Sequence, residues 1–206
     1  MNNKLEQKIF FSPNASSELT ALRPIFKKLT SVHQDFGNAF EDECTPWFWE
    51  RPQIGFLSAA VWLSRGVAIE EFRSAKTIEH DRKTGRGDLR FHFREYKFHV
   101  EAKYSFTKNL DGIDRNISKQ LNVAARDVRR VRCNDYAKLA ICFVVPLIAK
   151  SPSFDVYKRC SEWLSELRNE NWCDALVWIG TKNGEEPYLG RTHLFPGILL
   201  LIRQIR

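Results

Sequence analysis

Gly87-Asp88-Leu89-Arg90-Phe91-His92-Phe93-Arg94-Glu95-Tyr96-Lys97-Phe98-His99-Val100-Glu101-Ala102-Lys103-Tyr104 alternates apolar and polar residues on both sides of a short polar break, the pattern of a β-hairpin. Leu89, Phe91 and Phe93 on one strand and Phe98, Val100, Ala102 and Tyr104 on the other fall on one face by strict period-two alternation. Asp88, Glu101 and Lys103 then share the opposite face. A tight turn at Glu95-Tyr96 sets Arg90 opposite Glu101 and Asp88 opposite Lys103. Asp88 and Glu101 become diagonal neighbours, roughly 5 to 8 Å apart at Cβ. Two carboxylates at that spacing can bind one hard divalent cation, and Arg90, on the same face, is the residue that could neutralise them instead.

Outward from the hairpin, the chain reads as helix, strand, hairpin, helix, strand, helix, strand, strand, an α/β unit on a mixed sheet. Ser16-Ser17-Glu18 caps a helix over about 17–30, with Leu19, Leu22, Ile25, Phe26 and Leu29 on its apolar face. A second helix runs from about Gln53 to Ser64, where Gly66 ends it. The preceding Trp47-Phe48-Trp49 reads as buried packing at the helix entry rather than as a base-stacking surface. Val67–Lys76 forms a strand before the hairpin. Gly112 to Asn116 leads into a helix reaching about Arg132. Ala137–Val145 is a continuous apolar run ended by Pro146, as in a central strand buried on both faces. Ser151-Pro152 opens a helix with Phe154, Tyr157, Cys160, Leu164 and Leu167 on one face. Cys173–Thr181 and Gly197–Arg203 are further strands, with a turn near Gly184. The single unit divides into an N-terminal helical extension over 1–49, a core holding the metal site over 50–146, and a helix with sheet-completing strands over 147–206.

With 206 residues and ordinary hydrophobic and charged fractions, the chain supports a well-buried domain and is no disordered tail. Its net charge of +7 favours a polyanionic partner. The five cysteines are scattered and form no Cys-x-x-Cys pair, so they read as reduced thiols rather than a disulfide or zinc framework. No apolar run is long enough to span a bilayer. A cytoplasmic protein without membrane contact is the expectation. On the helix after the hairpin, Ile117, Leu121, Ala124, Val128 and Val131 form an apolar seam. Arg115, Lys119, Arg126 and Arg130 form a separate basic stripe that can follow a phosphate backbone or act as a solvated face.

The order helix, three-stranded meander, helix, strand over about Glu50 to Pro146, with Asp88 opening one strand and Glu101-Ala102-Lys103 in the next, resembles the PD-(D/E)XK nuclease superfamily and its restriction-endonuclease-like fold. Gly87 stands where the family name has proline. The resemblance implies that Asp88, Glu101 and the Ala102 carbonyl hold magnesium, with manganese as a substitute, and that Lys103 positions or activates the attacking water. It also implies an auxiliary helix acid, for which Glu50 is the candidate and Glu70 and Glu71 the reserves, and a supporting glutamine, here Gln120. Magnesium keeps several waters, neutralises charge on a phosphate and lowers the pKa of a bound water. Glu-x-Lys alone is a weak signal, since Glu6-Gln7-Lys8 and Glu95-Tyr96-Lys97 also fit it. His92 and His99, on the polar face, read as exposed cross-strand histidines. The expectation is a magnesium-dependent endonuclease acting on DNA. A non-catalytic nucleic-acid-binding protein of the same fold and an RNA-processing nuclease are the alternatives. A homodimer suits two cuts on opposite strands.

Overall fold

The structure, a computed structural model, describes residues 7–40, 48–78, 81–108, 110–133, 135–149, 155–170, 172–181, 188–189 and 193–206. In chain order these form β1 (Lys8–Phe11), α1 (Ser17–Thr20), α2 (Arg23–Ala39), α3 (Glu50–Leu63), β2 (Val67–Ile78), β3 (Asp81–Phe93), β4 (Tyr96–Thr107) and α4 (Arg115–Arg129). Then come β5 (Ala137–Pro146), β6 (Ile148–Ala149), α5 (Val156–Asn169), β7 (Ala175–Gly180), β8 (Tyr188–Leu189), β9 (His193–Phe195) and β10 (Gly197–Ile205). Seven strands make one mixed sheet in the order β1-β7-β10-β5-β4-β3-β2, and β6-β9-β8 form a small second sheet. The protein is thus α/β. Among the described residues no helix is long and apolar enough to cross a membrane.

The parallel β4 and β5 are joined by α4, because parallel neighbours need a crossover rather than a hairpin. Asp114 starts this helix: its Oδ1 accepts the Ile117 N–H at 2.8 Å, while the Thr107 hydroxyl donates to Oδ2 at 2.7 Å. The cap therefore ties the end of β4 to the helix it feeds. Arg126 and Arg129 lie in the last turn, where cations suit the helix dipole. Ile117, Leu121, Ala124, Ala125 and Val128 are buried against the sheet. Truncating a side chain such as Leu121 to alanine typically costs about 2 to 5 kcal/mol.

Both faces of the central strands are covered. Leu139, Ile141, Phe143 and Val145 of β5 join the layer containing residues of α1, α2 and α3, whereas Ala140, Cys142 and Val144 join that of α4 and α5. Trp163, Trp178 and Ile198 to Ile202 are fully or almost fully buried and complete the core. Stretch 1–49 contributes a strand as well as helices, since β1 pairs with β7 at one end of the sheet. The single helix expected over 17–30 is two: α1 ends at Thr20, and α2 restarts with Pro24 in its first turn and continues to Ala39. Gly66 follows α3 as expected, but Arg65 takes the left-handed conformation, with φ of 65°. Gly66 is needed for closeness instead, because a Cβ there would meet the Val61 side chain at 2.7 Å and the His92 carbonyl at 2.8 Å. Asp155 caps α5, its Oδ1 accepting the Tyr157 and Lys158 N–H groups. The expectations at Ser151-Pro152, Phe154 and Gly184 lie outside the described residues.

Candidate active site

The hairpin turns one residue earlier than its composition suggested. Phe93 pairs with Tyr96, so Arg94 and Glu95 form the loop, and Arg90 pairs with His99 rather than Glu101. Arg94 supplies the left-handed residue, with φ of 55°, where a tight hairpin loop ordinarily uses glycine or asparagine. The pairing slips by two residues, which preserves every side chain's face. Asp88, Glu101 and Lys103 therefore remain on one side, and Asp88 falls level with Glu101, not Lys103.

Backbone pairing of β3 with β4 extends only to Leu89 and Val100. Beyond that point the side chain of Asp88 takes over, its Oδ2 accepting the Ala102 N–H at 2.7 Å. The ladder between β2 and β3 also lapses beside Asp88, opposite Glu71, which has φ of 48°. Asp88 thus sits at a break in regular pairing on both sides. Gly87 has its own reason to lack a side chain: a Cβ would meet the ring of Phe72 at 2.5 Å. This packing accounts for glycine at the position where proline was the comparison.

Glu101 is 2% exposed, and the fully buried His99 places Nε2 3.3 Å from Glu101 Oε1. At His99 and Glu101 the polar face of β4 is consequently covered, while Lys103 keeps partial access to water. His92 is exposed and pairs with Lys97, while His99 is buried, with its ring edge-on to Phe72 at 5.1 Å; neither the expected facing pair nor the expected exposure of His99 is found. Arg90 is held away by aromatic faces: its guanidinium carbon lies 4.2 Å from the Phe72 ring centre and 4.7 Å from that of Tyr136.

Lys103 Nζ donates to the carbonyl of Ala102 at 2.6 Å and lies 3.9 Å from both Glu50 Oε1 and Asp127 Oδ2. Glu50 comes from the first turn of α3 in the opposite layer, where the helix N-terminus favours a carboxylate. Burial holds the Glu50 carboxyl above its ordinary range; Lys103 pulls it down, while Asp88 and Glu101 push it up further. Lys103, Asp88 and Glu101, from two strands, thus act on the charge of Glu50. The reserve Glu70 is exposed on β2. Glu71 instead bridges Arg51 at 2.7 Å and Arg86 at 3.1 Å.

Asp127 gave no sequence signal, because an acid on a basic helix reads as a solvated charge. Its role depends on how α4 docks. Asn116, Gln120 and Asp127 share one stripe of α4 at helical spacing. The Asn116 amide donates to Ser105 Oγ at 2.8 Å, so this stripe faces the polar side of β4 and places half-buried Gln120 between Asn116 and Asp127. The basic residues lie on the neighbouring stripe. Arg126 and Arg130 approach Asp127 Oδ1 at 3.7 and 3.8 Å, whereas Arg115 and Lys119 are exposed and make no ion pair among the described residues.

The donors at hand are hard oxygens: the carboxylates of Asp88 and Glu101 and the carbonyl of Ala102, which a lysine ammonium already contacts. That chemistry fits magnesium or manganese rather than a thiolate-loving metal. Among the described residues no three His, Cys, Asp or Glu side chains form a metal-holding group on their own. The cavity lined by Phe10, Ser12, Arg168 and Cys173 lies at the β1 end of the sheet and contains none of these residues. Comparison with protein-family models, curated proteins and solved structures gave no match.

Proposed function

We propose that the protein is a magnesium-dependent nuclease hydrolysing DNA phosphodiester bonds, an endonuclease with a PD-(D/E)XK-type site on a restriction-endonuclease-like fold. The observation that supports it most is the Lys103 ammonium lying on the Ala102 carbonyl and 3.9 Å from Glu50, with Asp88 bonded to the Ala102 N–H and Glu101 buried on the same strand. An ordinary charged hairpin face would leave these groups apart and solvated. Asp88, Glu101 and the Ala102 carbonyl would hold magnesium or manganese, which supplies charge neutralisation at the phosphate and an acidified water. Asp88 is oriented by the Ala102 N–H, and Glu101 by His99. The Lys103 ammonium, held between Glu50 and Asp127, is aimed at the same carbonyl and can stabilise negative charge on the attacking oxygen or the phosphate. Arg115 and Lys119, one stripe away on α4, offer phosphate contacts beside the site. A cytoplasmic setting and a homodimer making paired cuts are consistent with this reading.

The test is cleavage of labelled single-stranded, duplex and branched DNA, and of RNA, with magnesium, manganese or chelator. Wild type is compared with Glu101→Gln and Lys103→Ala. Metal-dependent cleavage of DNA that falls at least about 100-fold in both variants is expected. Cleavage that persists in chelator and in Lys103→Ala overturns the mechanism. Metal-independent binding with no cleavage of any substrate overturns the enzyme in favour of a binding protein, and cleavage of RNA alone overturns the choice of DNA.

A further inference from the structure

Trp49 stands apart from the aromatic residues around it. Phe48 packs as expected, its ring 5.4 Å from Phe36 and 6.4 Å from Phe56, and Trp47 lies outside the described residues. Trp49, by contrast, is 69% exposed, although its ring lies 5.7 Å from Tyr104 and 5.6 Å from Phe106. Tryptophan is usually well buried on average, so an indole backed by two aromatic rings and left open to water is a presented surface. Its location decides what it presents to. Trp49 immediately precedes Glu50, Tyr104 immediately follows Lys103, and Glu50 and Lys103 are 3.9 Å apart. The indole is therefore one residue from Glu50, whose carboxylate reaches Lys103, while Tyr104 and Phe106 back it on the face of β4 opposite Lys103.

We propose that Trp49 is a base-stacking shelf, so that the site takes nucleic acid with an unpaired base next to the phosphate being cut: a single strand, an overhang or a frayed end. This rests on the nuclease reading above and names its substrate class. Inside a continuous duplex both faces of every base are covered by neighbouring pairs, and an indole has nothing to stack on. An unpaired base offers a free π-face whatever its identity. Contact with Tyr104 and Phe106 restricts the orientations open to the indole, which lowers the cost of ordering it on binding. Lys103 and the basic stripe of α4 would take the backbone while Trp49 takes the base.

The test measures binding in chelator, so that nothing is cut, to three probes carrying 2-aminopurine: a single strand, a blunt duplex and a duplex with an overhang. Trp49→Ala is expected to weaken binding to the single strand and the overhang by about 5- to 150-fold and to leave the blunt duplex within about twofold. Trp49→Phe should retain most of the affinity and the fluorescence quenching. Trp62→Ala is the control, because Trp62 is 54% exposed at the far end of α3, about 20 Å along the helix. An equal loss on all three probes, or no loss on the single strand, overturns the shelf. If wild type cuts DNA and Trp49→Ala binds every probe as wild type does, the shelf alone falls. If wild type binds none of the probes and cuts nothing, the nuclease reading falls with it.

Discussion

Asp88 accepts the backbone N–H of Ala102 at 2.7 Å, a side chain standing in for a strand at the point where β3 and β4 stop pairing. One carboxylate oxygen is thereby committed to structure while its residue is a proposed metal ligand. The two roles separate by substitution. Asp88→Asn keeps an acceptor and is expected to melt close to wild type. Asp88→Ala leaves a part-buried N–H unpaired and should lose about 1 to 3 kcal/mol, with Tm falling by roughly 2 to 4 °C per kcal/mol. Both should lose magnesium binding by calorimetry. Equal melting of the two variants would show that the bond carries no stability.

Lys103 contacts the carbonyl that a metal would also need, so ammonium and dication compete by charge while cooperating in chemistry. Lys103→Met keeps the aliphatic stem and removes the charge. Magnesium affinity is expected to rise roughly 3- to 10-fold, because a like charge has gone. At saturating metal, kcat should fall about 100- to 1,000-fold. Titration calorimetry beside single-turnover cleavage reads both. Loss of metal affinity in this variant would contradict the assignment.

The same logic gives Glu50 a pH signature. Its folded pKa is raised above the ordinary 4.5, chiefly by burial, so the folded protein holds this proton more tightly than the unfolded chain does. Stability from this group therefore declines as pH rises from 4.5 through the folded value, and the deficit is complete above it. Glu50→Gln removes the deficit. Without metal it should be more stable than wild type at neutral pH, and the gain should shrink as the pH falls to the ordinary carboxyl range. Wild type should gain Tm on adding magnesium, and the variant should gain less. A pH-independent difference between the two melts would assign the effect to something other than this carboxyl.

Much of this site was readable because alternation survives error. Moving the hairpin turn by one residue shifts pairing by two, so Asp88, Glu101 and Lys103 stayed on one face although every cross-strand partner changed. The turn itself was illegible: Arg94 adopts a left-handed conformation with no glycine or asparagine to announce it. Glu50 was reachable only through resemblance, since its meeting with Lys103 is a contact between layers. Asp127 and the exposure of Trp49 depend on how α4 and α3 dock, which no local pattern encodes. The four-residue β1 and the short β6, β8 and β9 are too brief to show a period.

The basic stripe on α4 divides into two kinds of arginine and lysine. Arg126 and Arg130 lie beside Asp127, so their charge is partly answered, whereas Arg115 and Lys119 are exposed and make no ion pair among the described residues. If all four met phosphate alike, any pair would serve. The geometry instead predicts that Arg115→Glu with Lys119→Glu weakens DNA binding at every sequence and lowers the slope of log affinity against log salt by about 2. Melting should not fall, since both residues are exposed and Arg115 opens α4, where a glutamate suits the helix dipole. An unaltered salt slope would remove this face from the interface.

Gly87 offers a test in which no chemical group of the site is touched. The Phe72 ring lies where a Cβ would stand, at 2.5 Å, and that ring is itself pinned by Arg90 above it and His99 edge-on. The ring cannot move without disturbing the residue that orients Glu101. Gly87→Ala is therefore expected to cost about 1 to 3 kcal/mol by overpacking and to displace the neighbouring Asp88. A second substitution, Phe72→Leu, should restore room for the added methyl and recover part of both stability and metal binding in the double variant. Measured as a double-mutant cycle, the two changes should be clearly non-additive. Additive losses would mean that Gly87 is required for a reason other than this ring.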